Sequence, residues 1–298
     1  MSDEFARIAA LRDILGSGAT AEVGIGDDAA VLRPFPGKLV ASVDAQVEHV
    51  HFERAWLGWD DVGYRSLMAA ASDLAAVGAE PLGAMAALIL PPDFTDDDLA
   101  ALGRGQRAAA DRLGCPVIGG NLSRGGELSV TTTVLGRVDR PLLRSGAAVG
   151  EGVFAAGLLG YAAAGLRVLR AGPPTASDEA TQAALTAFRR PEAQLAAARV
   201  ARERATAAID VSDGLAQDVA HLATASGVGI DLSLPPLPAG IALDDVLFGG
   251  EDYALVITAP AEVGTLPGFV RIGSVVRELG VRLDGVPVAA RGHRHFAE

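Results

Sequence analysis

The chain holds one cysteine, Cys115, so neither an intramolecular disulfide nor a thiolate zinc cluster can be built. It also holds a single lysine, Lys38. That excludes a Walker P-loop, which requires a Gly-Lys-Ser/Thr step. A phosphate-handling site would have to use arginine, backbone N–H groups or metal. Long apolar runs are missing too. The longest, Gly152 to Leu166, is short of the ~20 residues a membrane span needs. Residues 1–20 carry Asp3 and Glu4 and lack the basic start and apolar core of a signal peptide. A soluble, cytoplasmic protein with no membrane partner is expected. Positive charge is in deficit: 25 Lys and Arg face 37 Asp and Glu, a formal net charge of −12. Nucleic-acid binders draw affinity from neutralising phosphates and are more often basic, so no nucleic-acid partner is expected.

What is present is a globular composition. Of the 298 residues, 50% are hydrophobic and 21% charged, enough for one large or two ordinary cores. Residues 3–16 read as a helix with Ile8, Leu11, Ile14 and Leu15 on one face. Leu39–Val43 reads as a short strand, Trp59–Val77 as an Ala-rich helix, and Gly83–Leu90 as a buried strand stopped by Pro91-Pro92. Thr95 is a good N-cap for a helix to about Leu113, and Asp96, Asp97 and Asp98 suit its positive end. Val117-Ile118 enters a glycine turn at Gly119-Gly120, and a Val- and Thr-rich strand covers Leu128–Val138. Character changes over Asp139–Gly150, which places a domain boundary there and divides the chain into 1–138 and 139–298. Beyond it come strand Gly152–Ala156, helix Tyr161–Arg170 and a Gly-Pro-Pro-Thr loop at 172–175. Helical stretches follow to Arg204, then strand Ile209–Val211, helix Gly214–Ser226 and strand Ile230–Leu234. A proline-rich turn then leads to a strand pair near Tyr253–Thr258 and Phe269–Val275. Strands and helices mix without regular βαβ spacing, so the fold class is α+β in two domains.

Five acidic spots share a setting, a short polar break at the end of an apolar element. They are Asp27-Asp28, Ser42-Val43-Asp44, Ser72-Asp73, Asp210-Val211-Ser212-Asp213-Gly214 and Glu251-Asp252. Singly each is a turn or a cap. Together they raise the question of a metal. An unpaired carboxylate buried in the helix around Asp73 would cost several kcal/mol, and cations are few. Mg²⁺ takes carboxylates and waters in octahedral geometry and usually bridges to substrate phosphates. A solvated-turn reading and a multi-Mg²⁺ phosphate site both remain open on the residues alone. Gly119-Gly120 and Gly249-Gly250 permit close backbone approach to a ligand, though turns explain most such pairs.

At these residues the chain resembles the thiamine-monophosphate kinase family, within the aminoimidazole-ribonucleotide-synthetase-like superfamily. "GIGDDAAVL" (24–32), "SVDAQVEHVHF" (42–52), "SDLAAVGAEP" (72–81), "GGNLSR" (119–124), "RSGAAVGEG" (144–152), "DVSDGLAQDVAHLATASGVG" (210–229) and "FGGEDYALV" (248–256) run in the family's order, and "GHRHF" (292–296) is similar to its ending. The resemblance implies Mg²⁺-dependent transfer of the ATP γ-phosphate to thiamine monophosphate. It implies several Mg²⁺ ions, with ATP as co-substrate and thiamine monophosphate as the other partner. It implies an N-terminal domain (1–138) that binds ATP and Mg²⁺ and pairs with a second copy into a dimeric β-barrel. A C-terminal α/β sandwich-like domain (139–298) would complete the active site, in a homodimer. By resemblance the metal ligands are Asp27, Ser42, Asp44, Asp73, Asp210 and Asp213, with Asp44, Asp73 and Asp210 closest to catalysis. Gly120, Asn121, Arg144 and Ser212 map to nucleotide contacts, and His51, Glu251 and His293 to the acceptor substrate.

Each of these has a plain structural reading beside it. His51 would be a half-buried sheet histidine, Arg144 a surface linker residue, and Glu251-Asp252 a hairpin turn. Trp56 and Trp59 read as packing, as does Cys115. The chain also departs from the family pattern. Asn121 stands for an Asp, Val43 for a Thr, Arg65 for a Lys, Gly103 for an aromatic near adenine, and His293 for a closing aromatic. The alternatives are another ATP-dependent enzyme of the superfamily with a different substrate, or a catalytically impaired nucleotide-binding homologue.

Overall fold

The computed structural model describes residues 4–16, 18–172 and 178–293. Residue 3 of the expected first helix, residues 173–175 of the expected loop and residues 294–296 of the closing motif lie outside them. The chain divides into two compact units. One runs to Leu74 and resumes over Ala79–Asp139; the other takes Ala75–Gly78 and the chain from Arg140 onward.

The first unit contains α1 (Glu4–Leu15), β1 (Ala21–Val23), β2 (Val31–Leu32), β3 (Lys38–Val47), all but the last three residues of α2 (Trp59–Val77), β4 (Glu80–Leu90), α3 (Asp96–Leu113), β5 (Val117–Arg124) and β6 (Ser129–Val138). Strands β1 and β2 form a small antiparallel pair. The main sheet has four strands in the order β3-β6-β4-β5. Its β3/β6 and β4/β6 pairs are antiparallel, and β4 and β5, joined through α3, are parallel. Alternation along β6 buries Val130, Thr132 and Val134 and leaves Thr131, Thr133 and Leu135 half-buried, as expected of a strand with one covered face.

Glycine sets the spacing of the helices. A Cβ on Gly63 of α2 would lie 2.0 Å from the Leu102 carbonyl oxygen, and one on Gly105 of α3 would lie 1.9 Å from that of Asp60. The two helices therefore cross backbone to backbone. Helix α3 is closed by the expected cap: Asp98 N–H donates to Thr95 Oγ1 (3.1 Å) and Thr95 N–H to Asp98 Oδ2 (2.9 Å). Gly103 faces α1, where a Cβ would meet Leu11 at 2.9 Å. Trp59 stands edge-on to Phe94 at 5.0 Å and lies under the Arg54 guanidinium, a packing role. Cys115 is wholly buried, and burial pushes its thiol up to about 12.

The second unit contains β7 (Gly152–Ala156), α4 (Tyr161–Ala171), α5 (Glu179–Arg189), α6 (Leu195–Ala201), β8 (Ala207–Val211), α7 (Leu215–Ser226), β9 (Gly229–Leu232), α8 (Leu243–Phe248), β10 (Ala254–Ala259), β11 (Val270–Val276), β12 (Gly280–Leu283) and β13 (Val286–Val288). Seven strands form one sheet, ordered β13-β12-β9-β11-β7-β10-β8. All pairs are antiparallel except β9/β12. Helix α7 packs on β8, β9 and β12. Leu215, Val219 and Leu222 join Ile209, Ile230 and Val256 in the core.

Three expectations need correction. Gly119-Gly120 is not a turn: β5 runs straight through it to Arg124. Strand β3 continues to Val47, so Asp44 lies inside a strand rather than at its end. The strands near Tyr253 and Phe269 share a sheet but are not a pair, because β7 lies between β10 and β11. Among the described residues, no helix is long and apolar enough to cross a membrane.

Candidate active site

The alternation of β3 decides what its polar residues share. Ser42 and Asp44 are two apart and so project to one face. Asp44 is in register with Thr132 of β6, and Ser42 with Val134. Ser42 Oγ donates a short hydrogen bond to Asp73 Oδ2 of α2. Asp44 Oδ1 accepts from Ala45 N–H at 2.6 Å. Asp44 and Asp73 are half-buried, not sealed in the core, and Asp73 has its hydroxyl partner. Burial alone therefore does not demand a cation here, contrary to the cost argued from the sequence. The donor set remains suitable for a hard ion: carboxylate and hydroxyl oxygens only. One further observation fits a polar occupant. Thr132 Oγ1 is buried with no hydrogen-bond partner and shares its face and register with Asp44.

Gly120 and Asn121 lie on β5, at the opposite edge of the sheet from β3. Three inter-strand steps separate these edges, roughly 14 Å. Asn121 is in register with Ala87, while Gly120 is in register with Ala86, which is opposite Thr132. Asn121 therefore projects to the face away from Ser42 and Asp44, and its Nδ2 donates to Ser123 Oγ at 3.1 Å. Within one chain, Asn121 and Asp44 are not brought together. Gly120 has its own structural reason, since a Cβ there would lie 2.1 Å from the Ala86 carbonyl oxygen. Asp27 is exposed between β1 and β2, its Oδ1 accepting from Asp28 N–H at 2.8 Å. Among the described residues, no three His, Cys, Asp or Glu side chains converge to hold an ion by themselves.

His51 is built into a turn rather than a strand edge. Val47 N–H donates to His51 Nδ1 at 3.1 Å, and His51 N–H donates back to the Val47 carbonyl at 2.9 Å. Glu48 anchors that turn from beneath. Burial works against its charge, but Arg54 and the Leu128 N–H (3.1 Å) outweigh it and hold the carboxyl below its ordinary value.

The second unit gathers more of the candidates. Asp210 lies one residue before the end of β8, in register with Leu255, and is 6% exposed. Ser212, Asp213 and Gly214 follow. Their three N–H groups all donate to Asp218 Oδ2, each at 3.1 Å. Burial first, then the charges of Asp210 and Asp213, push the Asp218 carboxyl up to about 7 against the pull of those amides. Asp213 Oδ2 accepts from Gln217 Nε2 at 3.0 Å, and its carbonyl accepts from His293 N–H at 3.0 Å. Glu251 N–H donates to the Ser212 carbonyl at 2.8 Å. Asp210, Ser212, Asp213, Glu251 and His293 are thus one neighbourhood. Arg144 is exposed on its own loop, with its carbonyl accepting from Ser226 Oγ at 3.1 Å.

Glu251 and Tyr253 both take positive φ, 67° and 49°, and the buried Asp252 sits between them. Its carboxylate accepts from Gly160 N–H (2.6 Å) and Ala162 N–H (3.1 Å) at the start of α4. Burial nevertheless raises Asp252 to about 7. The folded chain thus holds this proton more tightly than the unfolded chain, so its contribution is full below about pH 4 and lost as pH rises through 7. We expect the stability of the wild type relative to Asp252→Asn to fall by about 1 kcal/mol per pH unit between pH 4 and 7. Urea melts of both proteins at pH 5, 6 and 7 check this; a constant difference contradicts it.

Sequence reasoning overlooked Asp218, Gln217 and Ser226. An acid one turn into a helix whose N-cap is glycine, with no side-chain cap, was the available signal for Asp218.

The family described as AIR synthase related protein, N-terminal domain, matches residues 26–138. A thiamine-monophosphate kinase of Aquifex aeolicus is 32% identical over 285 residues, covering 91% of this chain and 92% of that protein. The chain belongs to the thiamine-monophosphate kinase family. A crystal structure of the family from Stenotrophomonas maltophilia K279a is 34% identical with a TM-score of 0.84, covering 96% of this chain and 98% of that one. A structure described as AaThiL complexed with AMPPCP and TMP is 32% identical with a TM-score of 0.83, covering 98% and 97%. The mixed α and β fold is accordingly that of the AIR synthase-like proteins.

Proposed function

We infer that this chain transfers the terminal phosphoryl group of ATP to thiamine monophosphate, giving thiamine diphosphate and ADP. The observation that carries this is likeness along nearly the whole chain to a family structure described with AMPPCP and TMP. Phosphoryl transfer asks for alignment and charge neutralisation more than covalent chemistry. The acceptor phosphate oxygen is already anionic near neutral pH, so no general base is required. In this reading Gly120, Asn121, Arg144 and Ser212 contact the nucleotide, and His51, Glu251 and His293 contact the acceptor. Asp27, Ser42, Asp44, Asp73, Asp210 and Asp213 would hold Mg²⁺, which, when bound, offsets the repulsion between two polyanions. The all-oxygen donor set and the unpartnered Thr132 hydroxyl support that assignment.

We also propose a cytoplasmic homodimer in which two four-stranded sheets close into a barrel. Strands β3 and β5 end the sheet, and Leu39, Val43 and Ile89, on the face away from Asp44, are 57%, 60% and 42% exposed. Light scattering is expected to return twice the 30.3 kDa chain mass; a monomer contradicts the barrel.

An ADP-release assay with ATP, Mg²⁺ and thiamine monophosphate, run against thiamine and against no acceptor, tests the activity. Release that requires thiamine monophosphate supports the reading. ATP binding without such release favours a relative with another substrate or no turnover. In the same assay Asn121→Asp is expected to lower the Mg²⁺ needed for half-maximal rate several-fold, because a carboxylate replaces a neutral amide and, in the proposed dimer, the β5 edge of one copy would lie beside the β3 edge of the other. An unchanged Mg²⁺ curve removes Asn121 from the metal's surroundings.

A further inference from the structure

Helix α7 is tied at both ends to loops that carry candidate nucleotide groups. At its first turn, Asp218 Oδ2 accepts from the N–H groups of Ser212, Asp213 and Gly214, each at 3.1 Å. An ordinary cap satisfies the N–H groups inside the first turn of its own helix. These three precede the helix, so the carboxylate holds the incoming loop instead. At the last residue of α7, Ser226 Oγ accepts from Gly146 N–H and Ala147 N–H, both at 3.2 Å. It also donates to the Arg144 carbonyl at 3.1 Å. One hydroxyl thus uses its donor and both acceptor positions on a loop some 80 residues away in sequence. Glu151 pins the far side of that loop, accepting from Ala148 N–H at 3.0 Å and from Thr206 Oγ1 at 2.6 Å.

The helix between these ties is itself fixed. Leu215, Ala216, Val219 and Leu222 are completely buried against the sheet. Asp218 and Ser226 are eight residues apart, about 12 Å along the axis. We propose that Asp218 and Ser226 are positioning residues, and that α7 is a strut setting the spacing between the Ser212-Asp213 loop and the Arg144 loop. This rests on the reading above that Ser212, Asp213 and Arg144 face the nucleotide. Neither residue touches substrate in this account; each fixes backbone from which a contacting side chain projects.

Steady-state kinetics and calorimetric binding of AMPPCP test it, using the full chain. Arg144→Ala is the reference. Ser226→Ala is expected to raise KM for ATP about tenfold and to weaken AMPPCP binding comparably, with KM rising more than kcat falls. Ser226→Thr keeps the hydroxyl and is expected to restore most of that loss. In the Arg144→Ala background, Ser226→Ala should cost little more, because the group it positions is already gone. Asp218→Asn keeps one acceptor oxygen and is expected to lose less AMPPCP affinity than Asp218→Ala. The Asn variant also serves if the Ala protein fails to fold.

Equal and additive losses in both backgrounds mean that Ser226 is only structural, which overturns the strut. A strong effect of Arg144→Ala with none from Ser226→Ala also overturns it, while leaving the nucleotide reading intact. No effect from Arg144→Ala removes the nucleotide reading of that loop and the proposal with it.

Discussion

Asp210→Asn is expected to lower turnover at least about a hundredfold while the protein melts close to the wild-type temperature. The backbone of Asp210 is held by the β8/β10 ladder, which the substitution leaves alone. Its carboxylate lies among those of Asp213 and Asp218, and the charges of Asp210 and Asp213 together push Asp218 upward. Removing one negative charge from that group relieves repulsion in the absence of a cation. Folding should therefore be unharmed or slightly improved. Catalysis is where the charge is needed, because Asp210 would help to hold Mg²⁺, whose charge would offset the repulsion between the two phosphate-bearing substrates. Asp44→Asn is the matching variant in the other unit, and its loss is expected to be of similar size. The ADP-release assay beside a thermal melt checks both. Full activity in both folded variants would sink the metal assignment.

Gly105→Ala is expected to destabilise the protein by about 3 kcal/mol or more, although it adds one methyl group. The new carbon would lie 1.9 Å from the Asp60 carbonyl oxygen and 2.8 Å from the Tyr64 nitrogen. Those are backbone atoms, so no side chain can swing aside. Helix α2 must shift away from α3, and α2 also carries Asp73, which Ser42 holds. Activity should fall along with stability. Gly63→Ala presses on the same crossing from the other side and should behave alike. Urea unfolding gives the number; a loss under about 1 kcal/mol would mean that the crossing relaxes.

Local signals in the chain were readable where the physics is local. The helix over Trp59–Val77 and the strand over Gly152–Ala156 follow from periodicity and the residues bounding them. The Thr95 cap follows from a hydroxyl residue set before three acids. Gly119-Gly120 misled because a glycine pair permits a turn and a close strand pairing equally, and only the Ala86 carbonyl opposite decides. The sequence pattern ends β3 at Val43 because Asp44 and Gln46 interrupt its apolar run. They are half-buried and buried on the face that α2 covers. The motifs named the family, but not which candidates meet. Asp44 and Asn121 sit at opposite edges of one sheet, a fact of strand order that no spacing along the chain reveals. The ties of Ser226 span about eighty residues and were invisible for the same reason.

Cys115 offers a practical dividend. Its sulfur is completely shielded, and with the thiol pushed up to about 12 almost no thiolate exists at neutral pH to attack a reagent. A cysteine introduced at the exposed Leu279, in the turn between β11 and β12, would then be the one reactive thiol among the described residues. A maleimide dye or spin label could be attached there in the otherwise native chain, and its mobility followed while nucleotide binds.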